Sequence, residues 1–154
     1  IIAVPWSAHS ETLAELAPAL KGQIVIDAVN PIAVDERGPY ALAVEAGSAT
    51  QEAQLLLPSS AVVGAFHHLS ADLLQSVGAL DADVLVVGDD REAIARVIAV
   101  IDAVPGLRGV YAGRLRNAGQ IEALTANLIA INRRYRAKSG LRVTGLDTPK
   151  PSDG

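Results

Sequence analysis

The sequence predicts an α/β fold built on a mainly parallel sheet. Three observations carry that expectation. Short apolar runs rich in β-branched residues alternate with segments whose apolar residues recur at helical spacing. Half of the 154 residues are hydrophobic but only 3% are aromatic, so a core of ordinary size must be built from Ala, Val, Leu and Ile. Four of the runs end in distinctive residues: Pro5-Trp6-Ser7, Asn30-Pro31, His67-His68 and Asp89-Asp90. Open α/β sheets bind ligands beyond the carboxyl ends of their strands.

Each element follows from local chemistry. Ile1–Pro5 reads as a buried strand stopped by proline. Ser7 is placed to cap a helix whose apolar face is Leu13, Leu16 and Leu20, with Lys21-Gly22 ending it. Ile24–Ala28 is a second strand, followed from Asn30-Pro31 to about Gly47 by a loop rich in Gly, Pro and charge. Ala49–Leu57 is a helix, Ala61–Ala65 a third strand, and Ser70–Gln75 a short helix. Asp83–Val87 is a fourth strand, Asp89–Ala103 a helix and Leu107–Ala112 a fifth strand. From Asn117 to Arg136, Ile121, Leu124, Leu128, Ile131 and Tyr135 recur at helix spacing. Asp147–Gly154, with two prolines, reads as a disordered tail.

Composition excludes several classes. Half-hydrophobic composition is incompatible with disorder of the whole chain. No apolar run approaches the ~20 residues of a membrane-spanning helix. Without Cys there is no disulfide framework, thiolate nucleophile or Cys-ligated metal. A net charge of −4 argues against general nucleic-acid binding. No secretory signal is visible, so the expected location is cytoplasmic. The chain has no Met and opens on Ile1-Ile2-Ala3-Val4. Removal of an initiator normally exposes a small residue, so a fragment whose start lies upstream is expected; a processed terminus is the alternative.

Several motifs carry two readings. Val4-Pro5-Trp6 is either the wall of a ligand site or a turn holding a core aromatic. His67 and His68 stand where the third strand ends; successive strand side chains point to opposite faces, so the two are not expected to share a metal, and one imidazole lines a ligand pocket or both are core histidines. Asp89 to Glu92 has the spacing of a capping box rather than of a catalytic pair. Ser7, His9 and Asp27 could compose a hydrolase triad, but no G-x-S-x-G elbow accompanies them. Between Gly106 and Arg142 stand eight basic residues and one acid, Glu122. That stretch is either a solvated helix end or a site for an anionic ligand. The dinucleotide fingerprint G-x-G-x-x-G is absent, and there is no G-x-G anywhere in the chain.

Six segments occur together in the order of one family: Val4-Pro5-Trp6-Ser7-Ala8-His9, Asp27-Ala28-Val29-Asn30-Pro31, Gly64-Ala65-Phe66-His67-His68-Leu69, Val87-Gly88-Asp89-Asp90, Ala112-Gly113-Arg114-Leu115-Arg116-Asn117-Ala118 and Glu122-Ala123-Leu124-Thr125-Ala126-Asn127-Leu128-Ile129. From about Ile1 to Val143 the chain resembles the NADPH-dependent reductases of the deazaflavin coenzyme F-420. The resemblance implies an oxidoreductase that transfers hydride between NADPH and F-420, with no side chain covalently involved. It implies an incomplete Rossmann-type parallel sheet, the first βαβ unit with its glycine loop being missing, plus a small discontinuous α/β domain for F-420. Residues 1–60 and 83–109 would be the remainder of the NADP domain, and 61–82 with 110–146 the F-420 domain. Pro5, Trp6 and Ser7, with Asn30 and Pro31 nearby, would lie on the nicotinamide side. His67 and His68 would line the deazaflavin pocket, Gly140 and Leu141 would close it, and Arg114 or Arg116 would hold the anionic tail. A homodimer is expected, with no metal, nucleic acid or membrane partner. The alternatives are a fragment that only binds F-420 or dimerises, or another Rossmann reductase of the pyrroline carboxylate or ferric reductase type.

Overall fold

The computed structural model describes residues 1–75 and 80–146, so the expected tail at 147–154 lies outside the described residues. Its elements, in order, are α1 (His9–Leu16), β1 (Ile24–Asp27), β2 (Ile32–Asp35), β3 (Gly38–Ala41), α2 (Ala49–Leu56), β4 (Ala61–Gly64), α3 (Ala71–Leu74), β5 (Ala82–Gly88), α4 (Arg91–Asp102), β6 (Leu107–Tyr111) and α5 (Ala118–Tyr135). Short 3-10 turns at Trp6–Ala8 and Leu115–Asn117 lead into α1 and α5.

The main sheet has the order β1-β4-β5-β6. β1 pairs in parallel with β4, and β5 with β6. β4 and β5 are antiparallel, meeting only through Val63–Gly88 and Gly64–Val87. The fold is therefore α/β with a parallel-dominated sheet. Alternating side chains divide its two faces. Val84, Val86, Val63 and Ile26 pack against Ile94, Val97 and Ile101 of α4. On the other side Val87 meets Ala118 and Ile121 of α5, while Val25 and Val62 meet Leu13, Ala49, Ala53 and Leu57 of α1 and α2. Each such aliphatic side chain contributes roughly 1.5–3 kcal/mol on full burial.

Five expectations need correction. The opening run forms a single bridge, Ile2 beside Asp27, not a strand. Ile2 is buried but Ile1 is 77% exposed, and Pro5 stops further pairing. Ser7 does not cap α1: the chain enters through a 3-10 turn and Ala8 holds the cap position without a side-chain bond. The helix stops at Leu16 rather than Leu20, consistent with Pro18, which lacks an N–H. The loop after Pro31 contains a hairpin, β2–β3, turned by Asp35, whose Oδ1 accepts from the amides of Arg37 at 2.8 Å and Gly38 at 3.1 Å. The cap of α4 is Asp90, not Asp89: its Oδ1 accepts from the Ala93 amide at 2.8 Å.

Candidate functional site

Parallel pairing sets the ends of β1 and β4 side by side, Asp27 opposite Gly64. This gathers three of the four distinctive strand ends. The fourth, Asp89-Asp90, lies elsewhere, because β5 runs antiparallel to β4 and carries its carboxyl end back past Val63.

The end of β1 is organised by a buried ion cluster. His9 is fully buried; its Nε2 lies 2.7 Å from Asp27 Oδ2 and its Nδ1 3.1 Å from Glu52 Oε1. Burial lowers the affinity of this imidazole for a proton, but hydrogen bonds and charge from Asp27 and Glu52 outweigh it and raise the pKa above 6.5. Ser10 Oγ donates to the same Glu52 oxygen at 2.6 Å. The His–Asp pair of the triad reading thus forms, but both ring nitrogens face carboxylates and Ser7 is exposed, so no hydroxyl is activated. Trp6, half-buried, stands against the ring with centroids 5.3 Å apart. Pro5 and Ser7 flank it on the surface.

The end of β4 is built differently. Phe66 has φ +66°, a left-handed conformation uncommon for a bulky residue. It turns the chain so that the His67 carbonyl accepts from Asn30 Nδ2 at 2.7 Å and from Thr125 Oγ1 at 2.9 Å. β1, β4 and α5 meet at that oxygen, and Pro31 is buried just beyond it. Both imidazoles turn inward, His67 2% and His68 3% exposed. Thr50 Oγ1 donates to Glu122 Oε1 at 2.8 Å, so at 3.4 Å it can accept only from His67 Nε2–H. His67 Nδ1 makes no hydrogen bond of good geometry, while the Val29 backbone favours a proton on the ring. His68 Nε2 accepts from the Leu85 amide at 3.1 Å, which puts the proton on Nδ1, where the residue's own carbonyl is the acceptor that acts on it and no bond of good geometry forms. Burial, the largest influence on each ring, lowers both pKa values to about 4, so both are neutral at pH 7.

Glu122, given no role by the sequence beyond the lone acid in a basic stretch and the start of one family segment, is 2% exposed and spans from α5 to the first turn of α2. It accepts from the amides of Ala49 at 2.9 Å and Thr50 at 3.0 Å as well as the Thr50 hydroxyl. Burial raises its pKa against the lowering effect of these donors. Thr50, Thr125 and Phe66 were missed as well. The signals were a threonine in the first turn after Ser48, and a carboxylate and a threonine on the inward side of an amphipathic helix.

The basic stretch divides three ways. Arg108 and Arg142 are structural: Asp83, fully buried, accepts from Arg108 at 2.8 and 2.7 Å, from Arg142 at 2.9 Å and from the Val143 amide at 2.6 Å. Arg108 foremost holds the Asp83 pKa down at about 2. Arg142 also pairs with Asp81. These bonds lay the terminal segment along β5, where the Leu141 carbonyl accepts from the Asp83 amide at 2.7 Å. Gly140 there lines a cavity of about 210 Å³ with Leu69, Leu73 and Leu80. Arg114 lines a cleft of about 420 Å³ on the α4 side, 4.0 Å from Asp89, and Arg116 is exposed beside it. Arg133, Arg134 and Arg136 lie at the far end of α5.

No family model matches the chain. Among curated proteins, the F-420-dependent NADP reductase of Methanocaldococcus jannaschii is 32% identical over 151 residues, covering 96% of this chain and 68% of its own length. Those of Methanothermobacter marburgensis and Methanothermobacter thermautotrophicus are 34% and 32% identical over 152 residues, covering 95% of this chain and 68% and 66% of theirs. The chain belongs to the F-420-dependent NADP reductase family. It spans about two thirds of the length of these reductases. Solved structures agree on the fold. A candidate F-420-dependent NADP reductase of Arthrobacter sp. FB24 superposes with TM-score 0.76 at 22% identity, over 88% of this chain and 66% of that one. A hypothetical protein of Sinorhizobium meliloti superposes with TM-score 0.65 at 25% identity, over 84% and 62%. Among the described residues of this family member, no helix is long and apolar enough to cross a membrane, and no cluster of side chains is suited to a metal.

Proposed function

We propose that this chain acts in hydride transfer between NADPH and coenzyme F-420 in the cytoplasm, and that it supplies the deazaflavin side of the site. The observation that carries the reading is the pair of buried imidazole nitrogens at the end of β4 that lack a hydrogen bond of good geometry. Buried polar atoms in native proteins are nearly always satisfied, so two adjacent exceptions at a strand end point to a missing polar ligand. A fused-ring ligand with edge carbonyl and N–H groups carries partners for such nitrogens once the turn opens to admit it, and the left-handed Phe66 beside them fits a strained functional turn.

Bound F-420 supplies a ring carbon that accepts or releases hydride. The chain binds, orients and excludes water. His67 and His68 hydrogen-bond the ring edge in neutral form, and Asn30 and Thr125 fix the His67 carbonyl so that the turn cannot drift. Gly140, with Leu141 next to it, closes the cavity that Leu69 and Leu73 line. Pro5, Trp6 and Ser7, at the neighbouring strand end with Asn30 and Pro31, form the wall toward the nicotinamide. In this reading 61–82 with 110–146 serve the deazaflavin and 1–60 with 83–109 the dinucleotide, and the working unit is a homodimer.

The test is fluorescence titration of the chain with F-420. Saturable binding is expected, weakened several-fold by His67→Ala or His68→Ala, as loss of one hydrogen bond of about 1 kcal/mol implies. Failure of the unaltered chain to bind F-420 at millimolar concentration refutes the reading.

A further inference from the structure

The β2–β3 hairpin and the end of α5 enclose a groove of about 480 Å³ that the ring-binding reading does not use. Its charged lining is Arg37 from the hairpin turn and Arg133, Arg134 and Arg136 from α5. All four are exposed. Among the described residues, none of these guanidinium groups forms an ion pair. Four unneutralised arginines converging in a chain of net charge −4 are electrostatically costly without a counter-charge. The acids nearest in sequence do not supply it: the Asp35 carboxylate is taken up by the amides of its own turn, and Glu36 alone leaves the groove net positive.

The elements that form the groove also lead to the site at the end of β4. Asn30 and Thr125 meet at the His67 carbonyl. From there β2 follows directly on Asn30-Pro31 toward Arg37, and β3 packs along α5. Arg133 stands eight residues beyond Thr125, roughly 12 Å along the helix. We infer that this groove binds the anionic tail of F-420, with Arg37, Arg133, Arg134 and Arg136 holding its phosphate and glutamyl carboxylates. The inference rests on the F-420 reading and assigns the tail to the far end of α5 rather than to Arg114 and Arg116. Those two lie at the near end, where Arg114 opens onto the α4 side of the sheet and already faces Asp89. Planar guanidinium forks suit phosphate and carboxylate, and several on one groove accommodate tails of varied length.

The test compares two ligands, F-420 and the deazaflavin that has the ring and ribityl chain but neither phosphate nor glutamates. The chain carries Arg133→Gln, Arg134→Gln and Arg136→Gln together, all surface changes whose fold is verified by circular dichroism. The expected result is a tenfold or greater loss of F-420 affinity at low salt with unchanged affinity for the tail-less ligand. Raising salt should weaken F-420 binding to the parent and hardly affect the variant. Unchanged F-420 affinity in the triple variant overturns the inference, as does an equal loss in Arg114→Gln/Arg116→Gln. If the parent binds neither ligand, the F-420 reading itself falls, a result distinct from either of those.

Discussion

Replacing Glu122 with Ala should be among the most damaging single changes to stability. The carboxylate sits on α5 yet serves α2, where the first amides of a helix have no partner of their own. Three donors converge on it within 2.8–3.0 Å: two amides and a hydroxyl. Alanine leaves all three without an acceptor in a region from which water is excluded. A buried unsatisfied donor costs about 1–3 kcal/mol. Two amides therefore give about 2–6 kcal/mol, reduced because the parent no longer has to desolvate a carboxylate. A net loss of about 3 kcal/mol follows, and for a domain of this size it lowers Tm by about 6–12 °C. Glu122→Gln keeps one acceptor oxygen and turns an amide toward a donor, so its loss should fall between parent and alanine. Thermal and urea unfolding followed by circular dichroism measure both. Hydrogen exchange should show faster exchange at the Ala49 and Thr50 amides in Glu122→Ala. An alanine variant within about 0.5 kcal/mol of the parent refutes the reasoning, since it would mean that the cross-helix cap carries no net energy.

Four further outcomes are expected. In an NMR titration the three imidazoles should separate, with His9 titrating above 6.5 and His67 and His68 near 4; a His9 midpoint below 6.5 would refute the charged cluster. The buried pair makes stability fall as pH drops from about 6.5 to 4, where the unfolded chain takes protons that the fold refuses, by up to about 3 kcal/mol for each ring. His68→Gln should flatten that slope, and an unchanged slope would exclude His68 as its source. His9 works in the opposite sense: its contribution is present below 6.5 and lost as pH rises through its folded value, so His9→Gln should be costliest at or below pH 6.5. Gly106 has φ +84°, and a Cβ there would stand 1.5 Å from the Leu80 carbonyl oxygen, so Gly106→Ala should destabilise by at least about 2 kcal/mol in urea unfolding.

The alternation of elements was legible because period-2 and period-3.6 patterns are local properties, and α5, with its long apolar stripe, was placed to within a residue at each end. What failed was whatever depended on partners distant in sequence. The strand direction of β5 is not written in Asp83–Val87, and its antiparallel pairing with β4 moved Asp89-Asp90 away from the other strand ends. The hairpin was hidden because Gly38 and Pro39 read as loop, although the Asp35 turn supplies the bonds that such a sequence can make locally. Strand-end residues Asn30, His67 and His68 were legible as candidates. Their arrangement was not, since it depends on the left-handed turn at Phe66 and on a threonine 58 residues away from His67.

The protonation states at the two strand ends have one consequence for the proposed chemistry. Hydride transfer to the deazaflavin ring is balanced by uptake of one proton from solution, and no side chain takes part covalently. A group that titrated near neutral pH beside the rings would change local charge, and with it the relative energies of the two carriers, as pH varied. The two imidazoles assigned to the deazaflavin are held away from that range, whereas His9, on the nicotinamide side, is raised above 6.5. His67 and His68 are neutral well above their pKa of about 4, while His9 is drawn toward its charged form by two carboxylates. Glu122 is engaged by three donors rather than left free. The mobile charge lies instead in exposed arginines, which remain protonated throughout. Affinity for F-420 should accordingly respond to salt through the Arg133–Arg136 groove and stay level between pH 7 and 9. A step in ring affinity within that interval, seen with the tail-less deazaflavin, would mean that a titrating side chain touches the ring and that the neutral-histidine account of the pocket is wrong.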